Sequence, residues 1–166
     1  MRATTTKSAP KSLLALTAGD LMISPVVTIS QGTSLREAAR LLHRSGISGA
    51  PVVDQEGKCI GVLSSNDFVT WAGTEGLAIS FLAPWGEMID IEDSPDTEIR
   101  HYMTAQPVTV AFTTPIGELA QKMVDAHIHR VLVVAEQGRP CGIVTSTDVL
   151  AALARAARKA SRKSDK

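Results

Sequence analysis

Shifted against itself by 81 residues, without gaps, this 166-residue chain aligns Asp20–Phe68 with His101–Val149, and the self-match constrains the fold more than any other feature. Thirteen of the 49 aligned positions are identical, where unrelated sequences of average composition would share about three. They include Met22/Met103, Val27/Val108, Thr28/Thr109, Ile47/Ile128, Val52/Val133, Gly61/Gly142, Ser65/Ser146 and Asp67/Asp148. The chain is therefore two copies of a unit of about 50 residues. A unit that small cannot cover both faces of its own sheet, so the copies are expected to pack together as one globule.

Each copy reads as β-α-β-β-α, an α/β (α+β) pattern. Val26–Ile29 is a β-branched run, and Leu35, Ala38, Ala39 and Leu42 fall on one helical face that opens after Thr33-Ser34. Gly49–Val53 and Ile60–Leu63 are strands separated by the turn-like Asp54-Gln55-Glu56-Gly57, and a second helix starts at Ser64. The second copy repeats the order as Val108–Phe112, Pro115–Ala126, Arg130–Ala135, Cys141–Val144 and a helix from Thr145. Pro115 is expected just inside its helix, where a missing N–H does no harm. The organisation expected is an N-terminal tail (1–17), a first repeat (18–75), an acidic and aromatic linker (76–97), a second repeat (98–154) and a basic helix end and tail (155–166).

These features resemble a tandem pair of CBS domains, the pseudo-twofold Bateman module. The resemblance rests on Asp20-Leu21-Met22-Ile23-Ser24-Pro25 with His101-Tyr102-Met103-Thr104, on Gly49–Asp54 with His129–Val134, and on Gly61–Asp67 with Gly142–Asp148. It implies a regulatory, non-catalytic module. Such a pair binds an adenosine-containing ligand (AMP, ADP, ATP or S-adenosylmethionine) in clefts between its repeats, commonly as a homodimer that signals to a partner protein. A ligand-free interaction module is the alternative.

The resemblance also selects site residues. Asp148, with Thr145 and Thr147, stands at a helix start where a carboxylate accepts hydrogen bonds from both hydroxyls of a ribose. The same Thr-x-x-Asp pattern is a helix cap, and both roles are compatible. His129-Arg130 occupies the phosphate-binding strand position of the family, Arg130 offering a planar fork of donors. The favoured cleft would add Met22, Val26, Val27, Ile47 and Ser48. The weaker one would use Ser64, Asn66, Asp67, Thr104 and Val108, without a phosphate clamp on its own repeat. His127 and His129, two apart, form a candidate metal pair only if both lie on one strand.

Composition narrows the alternatives. Seventeen Lys and Arg balance seventeen Asp and Glu, which argues against nucleic-acid or membrane attraction through whole-chain charge. The longest uncharged apolar run, Gly76–Gly86, is too short to span a bilayer. Met1–Lys11 is not followed by a secretory h-region, and two isolated cysteines, Cys59 and Cys141, read as buried thiols of a cytoplasmic protein. No nucleophile elbow, Walker loop, dinucleotide fingerprint or zincin motif occurs. Six acids lie between Glu87 and Glu98 without a base, and the segment from Ala154 carries six bases against one acid; both read as solvated stretches.

Overall fold

A computed structural model describes residues 11–74 and 98–164. Two sheets form. The first has the order β1 (Ile29–Ser30), β2 (Gly49–Val53), β3 (Cys59–Ser64), β4 (Thr104–Ala105). The second is β5 (Thr109–Ala111), β6 (Arg130–Val134), β7 (Pro140–Thr145). In each, the first strand runs parallel to the second and the second and third form an antiparallel hairpin. The hairpin turns are closed by Gly57 at φ +78° and Gly138 at φ +74°, where L side chains are strained. The helices are α1 (Ala18–Leu21), α2 (Leu35–Ser45), α3 (Ser65–Thr74), α4 (Ile116–Asp125) and α5 (Ser146–Ser164).

The lead-in segments are exchanged between the repeats. β4 belongs by sequence to the second repeat, yet it pairs with β3 of the first, with Val62 opposite Thr104. The positions 81 residues earlier make the reciprocal exchange: Ile23 bridges Ile143, its N–H reaching the Ile143 carbonyl at 2.9 Å. Side chains follow the backbone. The first core of Ile29, Leu35, Leu42, Val52, Leu63 and Trp71 includes Ile99, with Tyr102 and Met103 packed on it. The second core of Val110, Ile116, Leu119, Val133 and Val144 includes Ala18 and Leu21, with Met22 packed on it. Neither repeat completes its core from contiguous chain, which is how two small sheets become one globule.

The two cores are filled differently. Where the first has Ile99 and Trp71, the second has the small Ala18 and Ala152 at equivalent positions, and it also takes Leu13 and Leu16. Leu13 opens a 3-10 turn (Leu13–Ala15) and Leu16 caps its end in extended conformation, within the segment expected as a tail. It is tied down by Ile116 N–H donating to the Leu16 carbonyl at 2.9 Å and by the Lys11–Asp20 ion pair at 2.7 Å. Lys11, together with the Thr17 N–H, holds the Asp20 carboxyl below the usual carboxylate range.

Several expectations need correction. The run Val26–Ile29 yields only Ile29–Ser30 as strand; Val26 is half-buried and Val27 exposed, so β-branched residues there lack a strand partner. Pro115 is the residue before α4, in extended conformation, rather than inside it. Cys59 and Cys141 are half-buried; they donate to the carbonyls of Gly61 (3.4 Å) and Val133 (3.3 Å), and burial pushes the Cys59 thiol up. The final helix runs unbroken to Ser164, with residues 153–155 and 157–161 exposed. Trp71 is buried, edge-to-face on Tyr102 at 6.4 Å. Phe81, Trp85 and the acids from Glu87 to Asp96 lie outside the described residues.

Candidate functional site

Two helix starts face the exchanged segments. At α5, Thr145 donates its N–H (2.8 Å) and its hydroxyl (2.6 Å) to Oδ2 of Asp148, whose own N–H returns to Thr145 Oγ1 at 3.3 Å. At α3, Ser64 donates its N–H (2.6 Å) and hydroxyl (2.7 Å) to Oδ2 of Asp67. The first is a full capping box and the second its carboxylate half, each satisfying the donors of the residue that precedes the helix. The same contacts join Thr17 to Asp20 and Ser34 to Glu37 at other helix starts. Cap geometry therefore does not single out Asp67 or Asp148.

Position does. Beside Asp67 lies β4 of the opposite repeat, and Thr104 Oγ1 stands 3.5 Å from Asp67 Oδ1. On the other side Ile23, the equivalent of Thr104 but without a hydroxyl, pairs with Ile143 on β7, the strand that leads into α5. Oδ1 of Asp148 has no hydrogen-bond partner among the described residues. Asp67 thus keeps one cap-bound oxygen and turns the other toward Thr104 of the opposite repeat, while Asp148 keeps one oxygen outside its cap; a carboxylate oxygen so placed can accept a diol hydroxyl.

The strand starts complete the junction. The Ser48 carbonyl accepts the Ser65 N–H at 2.9 Å, and the His129 carbonyl accepts the Ser146 N–H at the same distance. Ser48 therefore stands at the Asp67 side and His129 at the Asp148 side. In the ladders Gly49 lies opposite Ser64, and Arg130 opposite Thr145. The Arg130 guanidinium, however, crosses to the other repeat, where its Nη2 donates to Ser48 Oγ at 2.8 Å. Its Nη1 lies 2.9 Å from where a Cβ on Gly49 would stand, and Ser64 Cβ is 3.1 Å from that same point.

The remaining residues singled out from sequence are distributed as follows. Met22 packs its sulfur over Gly142, against the second core. Ile47 packs on the first core, not the second. Val26 and Val27 precede β1 without ladder pairing, and Thr147 and Asn66 are exposed. Val108 is half-buried on the second core, its carbonyl accepting the Leu132 N–H at 3.2 Å. His127 adopts a left-handed conformation between α4 and β6 and His129 precedes the strand, so the two do not form a same-face pair. Among the described residues no group of three metal-binding side chains occurs. The repeat alignment pairs Gly49 with Arg130 as a position without charge, but it does not reveal that the missing Cβ leaves room for the Arg130 guanidinium to cross.

Comparison with known proteins agrees with this architecture. A family model described as the CBS domain matches residues 18–73 and 99–155. The uncharacterized protein MJ1426 of Methanocaldococcus jannaschii is 29% identical over 150 residues, covering 81% of this chain and 89% of that one. The inosine-5'-monophosphate dehydrogenase of Korarchaeum cryptofilum is 29% identical over 132 residues, covering 80% of this chain but only 23% of the enzyme. Among solved structures, the CBS domain pair of protein MJ0100 in complex with 5'-methylthioadenosine and S-adenosyl-L-methionine superposes with a TM-score of 0.67 at 26% identity, covering 84% of this chain and 97% of that one. With both halves matched and the repeats interlocked through their lead-in segments, this chain belongs to the CBS domain family as a tandem pair, a Bateman module.

Proposed function

We propose that this chain is a ligand sensor that binds an adenosine-containing molecule, an adenine nucleotide or S-adenosylmethionine, between its repeats and transmits occupancy to a partner protein in the cytoplasm. The observation that carries the reading is the exchange itself. Asp67 lies against Thr104 of the opposite repeat, and Ile23 of the first repeat pairs with Ile143 on the strand that leads to Asp148. A ligand there touches both repeats, so its binding free energy depends on their relative placement. The resulting coupling to a partner is bounded by the ligand's differential affinity for the two arrangements. The MJ0100 pair, solved with two adenosyl compounds, supports this class of ligand.

Thermal unfolding with AMP, ADP, ATP, S-adenosylmethionine and NAD, each at millimolar concentration, tests the reading. At about a hundred times its dissociation constant a ligand adds ~2.7 kcal/mol, a rise of several degrees. One of these compounds should produce that rise, and the combined Asp67→Asn and Asp148→Asn protein should lose it. If none does, and no nucleotide co-purifies, the chain is a ligand-free interaction module instead.

We further propose a homodimer built on the outer helices. Val69 on α3 and Leu150 on α5 occupy equivalent positions of the two repeats and are 46% and 62% exposed. Leu153 and Val124 add to the apolar surface at 52% and 66%. Light scattering should give twice the 17.6 kDa chain mass, and Leu150→Glu should return the single-chain value. A single-chain mass for the unaltered protein would remove this proposal.

A further inference from the structure

Resting on the adenosyl reading above, we propose that residues 11–16 are a latch on the Asp148 cleft. Docked, they hold the first turn of α5 where Asp148 accepts a ligand. Released, they lower the affinity of that cleft and spare the Asp67 cleft.

The asymmetry lies in how the two helix starts are seated. α3 rests on the first core, where Trp71 of the helix itself and Ile99 of the opposite lead-in are buried. The equivalent positions in the second core are Ala152 and Ala18, and the bulk they lack is supplied by Leu13 and Leu16. Val144 is buried in that same core and Val149 packs on it. These two residues flank the cap. Val144 precedes Thr145, whose N–H and hydroxyl reach Asp148 Oδ2 at 2.8 and 2.6 Å, and Val149 follows Asp148. The support of Asp67 is therefore built into its own helix and lead-in, whereas that of Asp148 includes a segment outside the repeat.

The segment is held so that it can leave. Leu13 and Leu16 are only half-buried, and Leu14 is 81% exposed. A 3-10 turn of three residues adds little stability of its own, and the Lys11–Asp20 pair at 2.7 Å lies at the surface, where water screens it. One backbone bond fastens the end: the Leu16 carbonyl accepts the Ile116 N–H at 2.9 Å. That N–H belongs to the first residue of α4, and Pro115 before it offers no side-chain cap, so docking also satisfies an orphan donor. Past Thr17 the chain is anchored independently, by the Ala18 N–H on the Thr114 carbonyl at 2.8 Å and the Gly19 N–H on the Phe112 carbonyl at 2.9 Å. Release can thus stop at Thr17 and leave the lead-in in place, a local opening that costs far less than global unfolding. Docking and ligand binding favour the same arrangement of the α5 start, so each strengthens the other by the same factor. Release of the segment is then the signal that the Asp148 cleft is empty.

The test isolates each cleft first. Asp67→Asn leaves the Asp148 cleft and Asp148→Asn leaves the Asp67 cleft, asparagine keeping a carbonyl acceptor for each cap. Into both proteins go Leu13→Ala with Leu16→Ala and, separately, Met123→Ala, which removes bulk from the same core without altering the latch. Affinities for AMP and S-adenosylmethionine are read by titration calorimetry, and docking by hydrogen exchange of the Ile116 amide.

In the Asp67→Asn protein the paired leucine changes should weaken whichever compound binds by about 5–50-fold, within the usual span of couplings between sites, and Met123→Ala by less than about twofold. In the Asp148→Asn protein neither should exceed about twofold. Reciprocally, saturating ligand should slow Ile116 exchange in the Asp67→Asn protein by a comparable factor and leave it unchanged in the Asp148→Asn protein. Unchanged affinity in the Asp67→Asn protein, equal losses in both clefts, or a loss from Met123→Ala as large as that from the leucines would overturn the proposal. Should the leucine variant fail to fold, the exchange measurement decides alone, and Ile116 exchange indifferent to ligand in the Asp67→Asn protein overturns it. A chain that binds only through the Asp67 cleft leaves the adenosyl reading standing and removes the latch. Failure of the unaltered chain to bind either compound removes that reading itself, and the proposal with it.

Discussion

Replacing Ile99 with alanine should cost the protein about 2–5 kcal/mol in urea unfolding, although Ile99 directly follows the linker and belongs by sequence to the second repeat. The residue is fully buried in the first core with Trp71, and Tyr102 and Met103 pack on the same cluster. Its equivalent in the other half, Ala18, shows what a small residue there requires. The second core holds Ala18 together with Ala152 and takes Leu13 and Leu16 as well. No such leucines pack on the first core among the described residues, so Ile99→Ala leaves a cavity with nothing available to fill it. Because marginal domains hold only about 5–15 kcal/mol in total, this is a large fraction of the whole. Hydrogen exchange locates the damage: amides of β2 and β3 should open more readily than those of β6 and β7. Equal loss in both sheets, or a destabilisation under about 1 kcal/mol, would show that the lead-in segment does not complete the opposite core.

That exchange was legible only through the family resemblance, which set Thr104 with Asp67 and Met22 with Asp148, and not through the repeat match itself. The match at an offset of 81 residues placed β2, β3, β6, β7 and the helices α2, α3, α4 and α5, because hydrophobic period and hairpin turns are local properties. It could not say which sheet a lead-in strand joins, since the match is unchanged whether Thr104 pairs with its own repeat or with Val62 of the other. Val26–Ile29 failed for a related reason: β-branched residues favour extended backbone, but a strand also needs a partner edge, and only Ile29 and Ser30 find one, at Val52 and Val53. The site divides in the same way. Thr145, Asp148, Ser64 and Asp67 were legible because a cap is a short-range pattern. The reach of Arg130 was hidden because a long side chain's direction depends on what its neighbours leave empty. Here that is the absent Cβ of Gly49.

The close approach of the lead-in segments makes a second test. Gly142 lies under Met22, whose Sδ would collide with a Cβ and whose Cγ would stand 2.9 Å from it. Gly61, its equivalent, lies under Met103: a Cβ there would stand 2.5 Å from Sδ, 3.0 Å from Cγ and 3.0 Å from the Thr104 carbonyl oxygen. Alanine at either position should therefore destabilise by about 1–3 kcal/mol, as overpacking does, even though alanine suits a strand better than glycine. The two sites should respond differently to relief. At Gly142 the closest atoms all belong to the Met22 side chain, so Met22→Ala in the Gly142→Ala background should recover part of the loss, and a double-mutant cycle should show coupling of at least about 0.5 kcal/mol. At Gly61 the backbone carbonyl of Thr104 also stands in the way, and trimming Met103 should recover less. That carbonyl lies on β4, next to the hydroxyl facing Asp67. Gly61→Ala should thus push β4 from β3 and weaken ligand binding in the Asp67 cleft, whereas Gly142→Ala should spare it. Additive energies at both positions, with AMP affinity unchanged in each, would mean that the lead-in strands are not held against the sheets by these glycines.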